Sequence, residues 1–297
     1  MARSTAHIWM LLLPSLYLQV FSIPENSSCN PLFTTFPPGS VSHDSRTALF
    51  IPTAGVSSSG YKIPSSGGGV ELFLRKPNSE IRTKDGVNNN IADGATLNGT
   101  YLTLYGRFTI EISGPRVPGV VTAVVLMAPE GDEIDIEILG GDPDHWQVYN
   151  LQPLGALILL TCSCKSNVFV PHASDKEPLY GVFGGIHPYD SAGDQPSTPD
   201  SVDAIHTYVI DWTAERIVWI VGDKTVRTLF RRDTVRNGQL HFPSHAARLQ
   251  LGIWDASSPS GTAEWARGPI DWKIAPAQMT AHVKSVRIEC LGMHAFG

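Results

Sequence analysis

A chain of 297 residues with 42% hydrophobic and 17% charged side chains is long enough to bury a sizeable core and too apolar to stay unfolded. Its 22 Lys and Arg against 28 Asp and Glu give a formal net charge of −6, and no basic run is clustered to track phosphates. Nucleic acid is thereby excluded as a partner class, and one large β domain acting as a monomer is the default organisation.

The N-terminus reads as a segment to be removed. Arg3 precedes an apolar stretch over 8–21, and Val20 and Ser22 stand at −3 and −1 of a cleavage point, so 1–22 is expected to be a secretory signal peptide. About 14 apolar residues interrupted by Pro14 fall short of the roughly 20 that a spanning helix needs, which leaves no membrane span after cleavage. Asn26-Ser27-Ser28 and Asn98-Gly99-Thr100 are glycosylation sequons, meaningful only in an exported chain. Cys29, Cys162, Cys164 and Cys290 lack zinc-like paired spacing, and no metal or cofactor is expected. A Cys29–Cys290 bridge tying the two ends is the simplest arrangement.

Residues 23–69 are rich in Ser, Pro, Thr and Gly, ending in SSGGG, and read as an irregular N-terminal segment. From residue 70, short apolar and alternating runs recur between turn residues: VELFLR (70–75), YLTLYGRFTIEI (101–112), VVTAVVLM (120–127), EIDIEIL (133–139), HTYVIDW (206–212), IVWIV (217–221), TVRTLF (225–230), RLQLGIW (248–254) and HVKSVRIE (282–289). Strands at this spacing without a long amphipathic helix predict an all-β sandwich or jelly roll over 70–290, followed by a short tail, 291–297. In 101–112 the pattern places Leu102, Leu104, Phe108, Ile110 and Ile112 on one face, with Arg107 on the polar side able to pair with a carboxylate. Gly222-Asp223 reads as a tight hairpin turn.

The run GDEIDIEILGG (131–141) carries the chemistry. A strand alternates faces with period two, so Glu133, Asp135 and Glu137 share one side while Ile134, Ile136 and Ile138 take the other. Three acids on one face repel each other unless they are solvated, bind a cation or do chemistry. A retaining glycosidase needs two carboxyl groups about 5–5.5 Å apart, one to attack and one to protonate. Strand positions four residues apart lie roughly 13 Å apart at the backbone, so curvature and side-chain reach must close the gap.

The acidic strand, with YGRFTIEI (105–112), LGGDPDHWQ (139–147), DAIHTYVIDWT (203–213), GIWDAS (252–257), GTAEWARGPIDW (261–272) and HVKSVRIE (282–289) around it, resembles the fungal Crh-type enzymes of glycoside hydrolase family sixteen. The resemblance implies a β-jelly-roll of the concanavalin A-like type, with a concave glycan-binding cleft. It also implies a retaining mechanism with Glu133 as nucleophile, Asp135 as its helper and Glu137 as general acid/base. In that family the intermediate is commonly resolved by a sugar hydroxyl, so that chitin chains are transferred to β-glucan. Trp146, Trp254 and Trp265 sit in motif segments bordering such a cleft and offer faces for stacking on pyranose rings. Gln147 and His145 are further hydrogen-bonding candidates, whereas Trp212 and Trp219 lie in regular strands and read as core.

One stretch departs from the family. HWQ (145–147) would join SNVFVPHASDKEPLYGVFGGIHPY (166–189) smoothly if the apolar run 148–165 were absent. Val-Tyr codons can spell a splice donor, Leu-Thr codons a branch sequence and Lys165 the final acceptor dinucleotide, so 148–165 reads as a retained intron. The alternative is a true insertion that obstructs the cleft. No lipid-anchor signal follows Cys290. The expectation is a secreted retaining glycosidase or transglycosylase of cell-wall chitin and β-glucan, with an endo-β-1,3(4)-glucanase and a catalytically silent glycan-binding protein as the competing readings.

Overall fold

The computed structural model describes residues 29–44, 46–53, 60–141, 146–148, 160–162, 164–169, 184–185, 201–236 and 238–290. The expected signal peptide, the tail after Cys290 and His145 lie outside them. Eleven strands organise the molecule: β1 (Val70–Arg75), β2 (Ala95–Gly99), β3 (Gly106–Ser113), β4 (Val120–Met127), β5 (Glu133–Leu139), β6 (Cys164–Phe169), β7 (His206–Trp212), β8 (Arg216–Val221), β9 (Lys224–Phe230), β10 (Arg248–Asp255) and β11 (Gln278–Glu289). The described helices are two short turns, α1 (Ser260–Trp265) and a 3-10 turn at Arg231–Thr234. None is long and apolar enough to cross a membrane.

Two antiparallel sheets result. One runs β9-β8-β7-β3-β11-β1 and is finished by Tyr61–Lys62, with Leu32–Thr34 also pairing β11. The other runs Gly184–Gly185, β6, β5, β4, β10, β2 and Phe50–Pro52. Period-two alternation decides which side chains meet between them: Phe108, Ile110 and Ile112 from β3 and Tyr208, Ile210 and Trp212 from β7 pack against Ile134, Ile136 and Ile138 of β5, all within 1% of full burial. Burying a side chain of that size contributes about 1.5–3 kcal/mol, so this apolar interior fixes which face each strand turns outward.

The expected strands from residue 70 onward are all present, with one shortened. Residues 101–105 do not continue β3: Tyr105 and Gly106 take positive φ of 61° and 142°, and the chain turns there. Leu102 and Leu104 are only half-buried, while Thr103 is buried and bridges Ala247, so the predicted face holds only from Phe108 onward. Composition also understated 23–69, which supplies three short edge strands to the two sheets; Pro52 sits on the outermost of them, where a missing N–H is tolerated. Val221 pairs Lys224 across Gly222-Asp223, the expected two-residue turn, with Gly222 at φ 62°. Cys29 and Cys290 form a disulfide with their Cα atoms 5.4 Å apart. Arg107 meets Asp211 at 2.9 Å across the β3–β7 ladder, in the sheet away from the acidic strand.

Candidate active site

β5 is an interior strand of its sheet, flanked by β4 and β6, and every one of its seven residues is buried. The isoleucines fill the interior, which forces Glu133, Asp135 and Glu137 onto the opposite, outward face, where they retain only 5%, 2% and 8% exposure. Their neighbours on that face follow from the register. Glu133 stands opposite Met127, Asp135 opposite Val125 and Glu137 opposite Ala123 on β4; one strand further, β10 places Arg248, Gln250 and Gly252 in the same three rows. Asn98 extends the middle row on β2 and Thr96 extends the Glu137 row. The row beside Glu137 is thus Ala123, Gly252 and Thr96, and it is closely packed: a Cβ on Gly252 would lie 3.2 Å from Thr96 Oγ1.

Both ends of the strand are held. Asp132 is buried, and its Oδ2 accepts the main-chain N–H groups of Ser244 and His245 at 2.7 and 3.1 Å and lies 2.9 Å from His245 Nδ1. That ties the start of β5 to the loop leading into β10. At the other end, a Cβ on Gly140 would lie 2.3 Å from the Pro115 carbonyl oxygen and 2.5 Å from that of Val117. The glycine after the acidic strand therefore lets the 114–119 loop close against it.

Electrostatics distinguishes the acids. Burial, and then the adjacent Asp135 charge, push Glu133 up to about 8 from an ordinary 4.5. Its Oε1 has no hydrogen-bond partner among the described residues. Protonation of Glu133 relieves part of the repulsion built into the row.

Trp254 and Trp265, which come from separate motif segments, lie side by side. Trp254 falls two residues beyond Gly252 on β10, opposite Val121, and Trp265 closes α1; the rings stack with centroids 6.1 Å apart and planes 17° apart. Both are half-buried against Val121, Leu139, Ala256 and Ala266, so an aromatic pair stands at the Glu137 end of the row. Asp255, the next residue, is a brace: its carboxylate accepts from Ala92 N–H at 2.9 Å and Ser257 N–H at 2.8 Å. Gln250, Asn98 and Arg248 were not singled out from sequence, although the alternation of RLQLGIW already placed Gln250 and Arg248 on the face of Trp254. Asn98, the head of a sequon, lies within a strand of this sheet, with its Oδ1 buried and unpartnered among the described residues.

Trp146 and Gln147 are not brought to this sheet. Trp146–Val148 pairs instead with Leu160–Cys162 as a separate two-stranded ribbon. The strand beside β5 is β6, whose first two residues, Cys164 and Lys165, end the segment read as an insertion, and Lys165 takes the register position opposite Glu137.

Comparison with known proteins agrees with this architecture. The family described as glycosyl hydrolases family 16 matches residues 54–274. Crh-like protein 5 of Aspergillus fumigatus is 30% identical over 271 residues, covering 89% of this chain and 56% of that protein. Probable glycosidase CRR1 of Saccharomyces cerevisiae is 31% identical over 205 residues, covering 66% and 41%. The chain spans about half the length of these relatives. Among solved structures, Crh5 transglycosylase in complex with NAG superposes with a TM-score of 0.51 at 25% identity, covering 82% of this chain and 85% of that one. Bacillus licheniformis β-glucanase shares the fold with a TM-score of 0.54 at 17% identity, covering 87% and 97%. The jelly roll and the resemblance drawn from the acidic strand are both borne out: the chain belongs to glycosyl hydrolases family 16.

Proposed function

We propose that the protein is a secreted, retaining glycosidase of the fungal cell wall that acts chiefly by transglycosylation, moving chitin or glucan chains onto β-glucan acceptors. The observation that carries this is the buried row of three carboxylates on the outward face of one strand, with Glu133 pushed up by burial and by the Asp135 charge, beside an aromatic pair. Glu133, once ionised, attacks the anomeric carbon, and Glu137 protonates the departing glycosidic oxygen. Asp135 takes up the proton that Glu133 must release before it attacks, since one charge on the pair is far less costly than two. In the second half-reaction Glu137 removes a proton from the incoming hydroxyl, and Glu133 leaves with its electron pair. The Trp254–Trp265 platform stands at the Glu137 end, where leaving group and acceptor lie, and an apolar stacking surface there favours a sugar hydroxyl over water.

The test of this reading uses chitin oligomers as donor and fluorescent laminari-oligosaccharides as acceptor. Labelled products longer than the acceptor are expected, and Trp254→Ala should lower the ratio of transfer to hydrolysis more than it lowers donor cleavage. Labelled products that are only shortened would instead identify an endo-glucanase, and binding of both sugars without turnover would identify a silent binding protein.

The same reading treats 148–165 as foreign to the mature enzyme. With it removed, Trp146 and Gln147 would precede Ser166 directly and take the β6 positions now held by Cys164 and Lys165, which restores a Gln opposite Glu137 and a short connection from β5. Deleting 148–165 should raise soluble yield and transfer activity together. Peptide mapping of the natural secreted protein decides between the forms: a peptide crossing the Gln147–Ser166 junction is expected, and peptides from within LQPLGALILLTCSCK would show that the segment is retained.

A further inference from the structure

The outward side of β5 carries the carboxylates, but the other side of the same strand makes a contact that no step above employs. Trp219, fully buried in β8 of the opposite sheet, donates its indole N–H to the main-chain carbonyl of Asp135 at 3.1 Å. Arg227 stands across from Trp219 in the β8–β9 ladder, its guanidinium 4.6 Å from the centre of the indole ring. Alternation alone does not place it there. Val226 is turned into the core at 2% exposure, so its neighbour should point outward. The register shows how both come inside: Trp219 pairs Arg227 while Ile220 pairs Thr225, leaving Val226 as an extra residue. Such a bulge re-aims the side chain beside it. It brings a half-buried guanidinium against the indole that holds the acidic strand. Burial opposes the charge on Arg227, and the negative charge of Asp135 supports it.

We propose that Trp219 and Arg227 are positioning residues for the acidic strand, the indole fixing the Asp135 main chain and the half-buried guanidinium serving as a counter-charge that keeps the Glu133–Asp135 pair ionisable. This rests on the roles given above to Glu133 and Asp135. The other groups around Asp135 define what Arg227 adds. Glu133 and Glu137 share its face and are both acidic. Val125 and Gln250 in its row are uncharged, and Asn167 takes the register position on β6, with Lys165 two residues away opposite Glu137. Asp132 and His245 close the start of the strand, and Arg248 lies in the Glu133 row on β10. Arg227 is a cation that the opposing sheet supplies against the indole bound to this strand.

The experiment compares Trp219→Phe, Arg227→Met and Arg227→Lys with the parent, with Glu133→Gln as a control, in kcat, KM, pH profile and thermal unfolding. Removing the cation raises the pH needed to ionise the pair, so Arg227→Met should move the acid limb of kcat/KM upward by about one pH unit, and Arg227→Lys should return it. Trp219→Phe keeps the ring under Arg227 but loses the N–H; kcat should fall about tenfold with KM unchanged and the acid limb in place. An acid limb unmoved in Arg227→Met, or a Trp219→Phe variant that loses thermal stability with kcat intact, overturns the proposal. Should Trp219→Phe fail to fold, the Arg227 pair still decides. Glu133→Gln separates the two levels: if it turns over normally, the reading of Glu133 fails and the proposal with it, whereas a dead Glu133→Gln beside unaffected Trp219 and Arg227 variants overturns the positioning roles alone.

Discussion

Glu133→Gln should cut turnover by several orders of magnitude and, at alkaline pH, make the fold more stable. The loss follows because an amide cannot form the covalent glycosyl intermediate. The gain follows from linkage. Glu133 is buried, its Oε1 is unpartnered among the described residues, and its folded-state pKa is raised to about 8 from 4.5. A carboxyl whose folded pKa is raised contributes its full stability below about 4.5, where it is neutral in both states, and that contribution is lost as the pH rises through about 8. Glutamine stays neutral throughout. Melting curves of the two proteins should therefore nearly coincide at about pH 4 and separate at about pH 9, with the variant melting higher. Parallel decline of the two would mean that Glu133 is not under this strain in the folded chain.

Glu137→Ala should separate the two half-reactions. Without the proton donor, natural glycans with poor leaving groups should no longer be cleaved, whereas a glycoside with an activated leaving group should still load the enzyme. Release should then be slow, because no base remains to activate the acceptor. Azide, which is small and needs no base, should accelerate release and yield a glycosyl azide of retained configuration. Rescue of Glu133→Ala by azide to an inverted product, with Glu137→Ala unresponsive, would fit the established behaviour of a missing nucleophile and leave Glu137 without its acid/base role. Asp135→Asn should lose less than either glutamate variant, because it removes a helper and not a reacting group.

What could be read in advance was what depends on period-two alternation. Glu133, Asp135 and Glu137 against Ile134, Ile136 and Ile138 is a local pattern, and a strand can satisfy it in only one way once the isoleucines find a core. Phe108, Ile110 and Ile112 were legible for the same reason. The failure at Leu102 and Leu104 came from a turn at Tyr105–Gly106 that a continuing apolar rhythm conceals. Trp219 was set aside as core, and its burial agrees; its N–H on the Asp135 carbonyl depends on how the two sheets are superposed, which no run of residues in one strand encodes. Arg227 was hidden further, because its inward turn requires a bulge, and a bulge breaks the alternation by which faces are assigned. The raised pKa of Glu133 could not be read from spacing along β5, because it comes from burial first and the neighbouring Asp135 charge second, and burial is set by the packed sheets.

The central claim, that Glu133 is the nucleophile of a retaining reaction, is tested most directly by trapping the intermediate. Glu137→Ala should be mixed with an activated chitooligosaccharide donor, quenched within the burst and digested for peptide mass analysis. One glycosyl adduct is expected on the peptide containing GDEIDIEILGG, located by fragmentation on Glu133, and it should disappear on addition of azide. An adduct on Asp135, or donor consumption with no adduct and a product of inverted configuration, would contradict it.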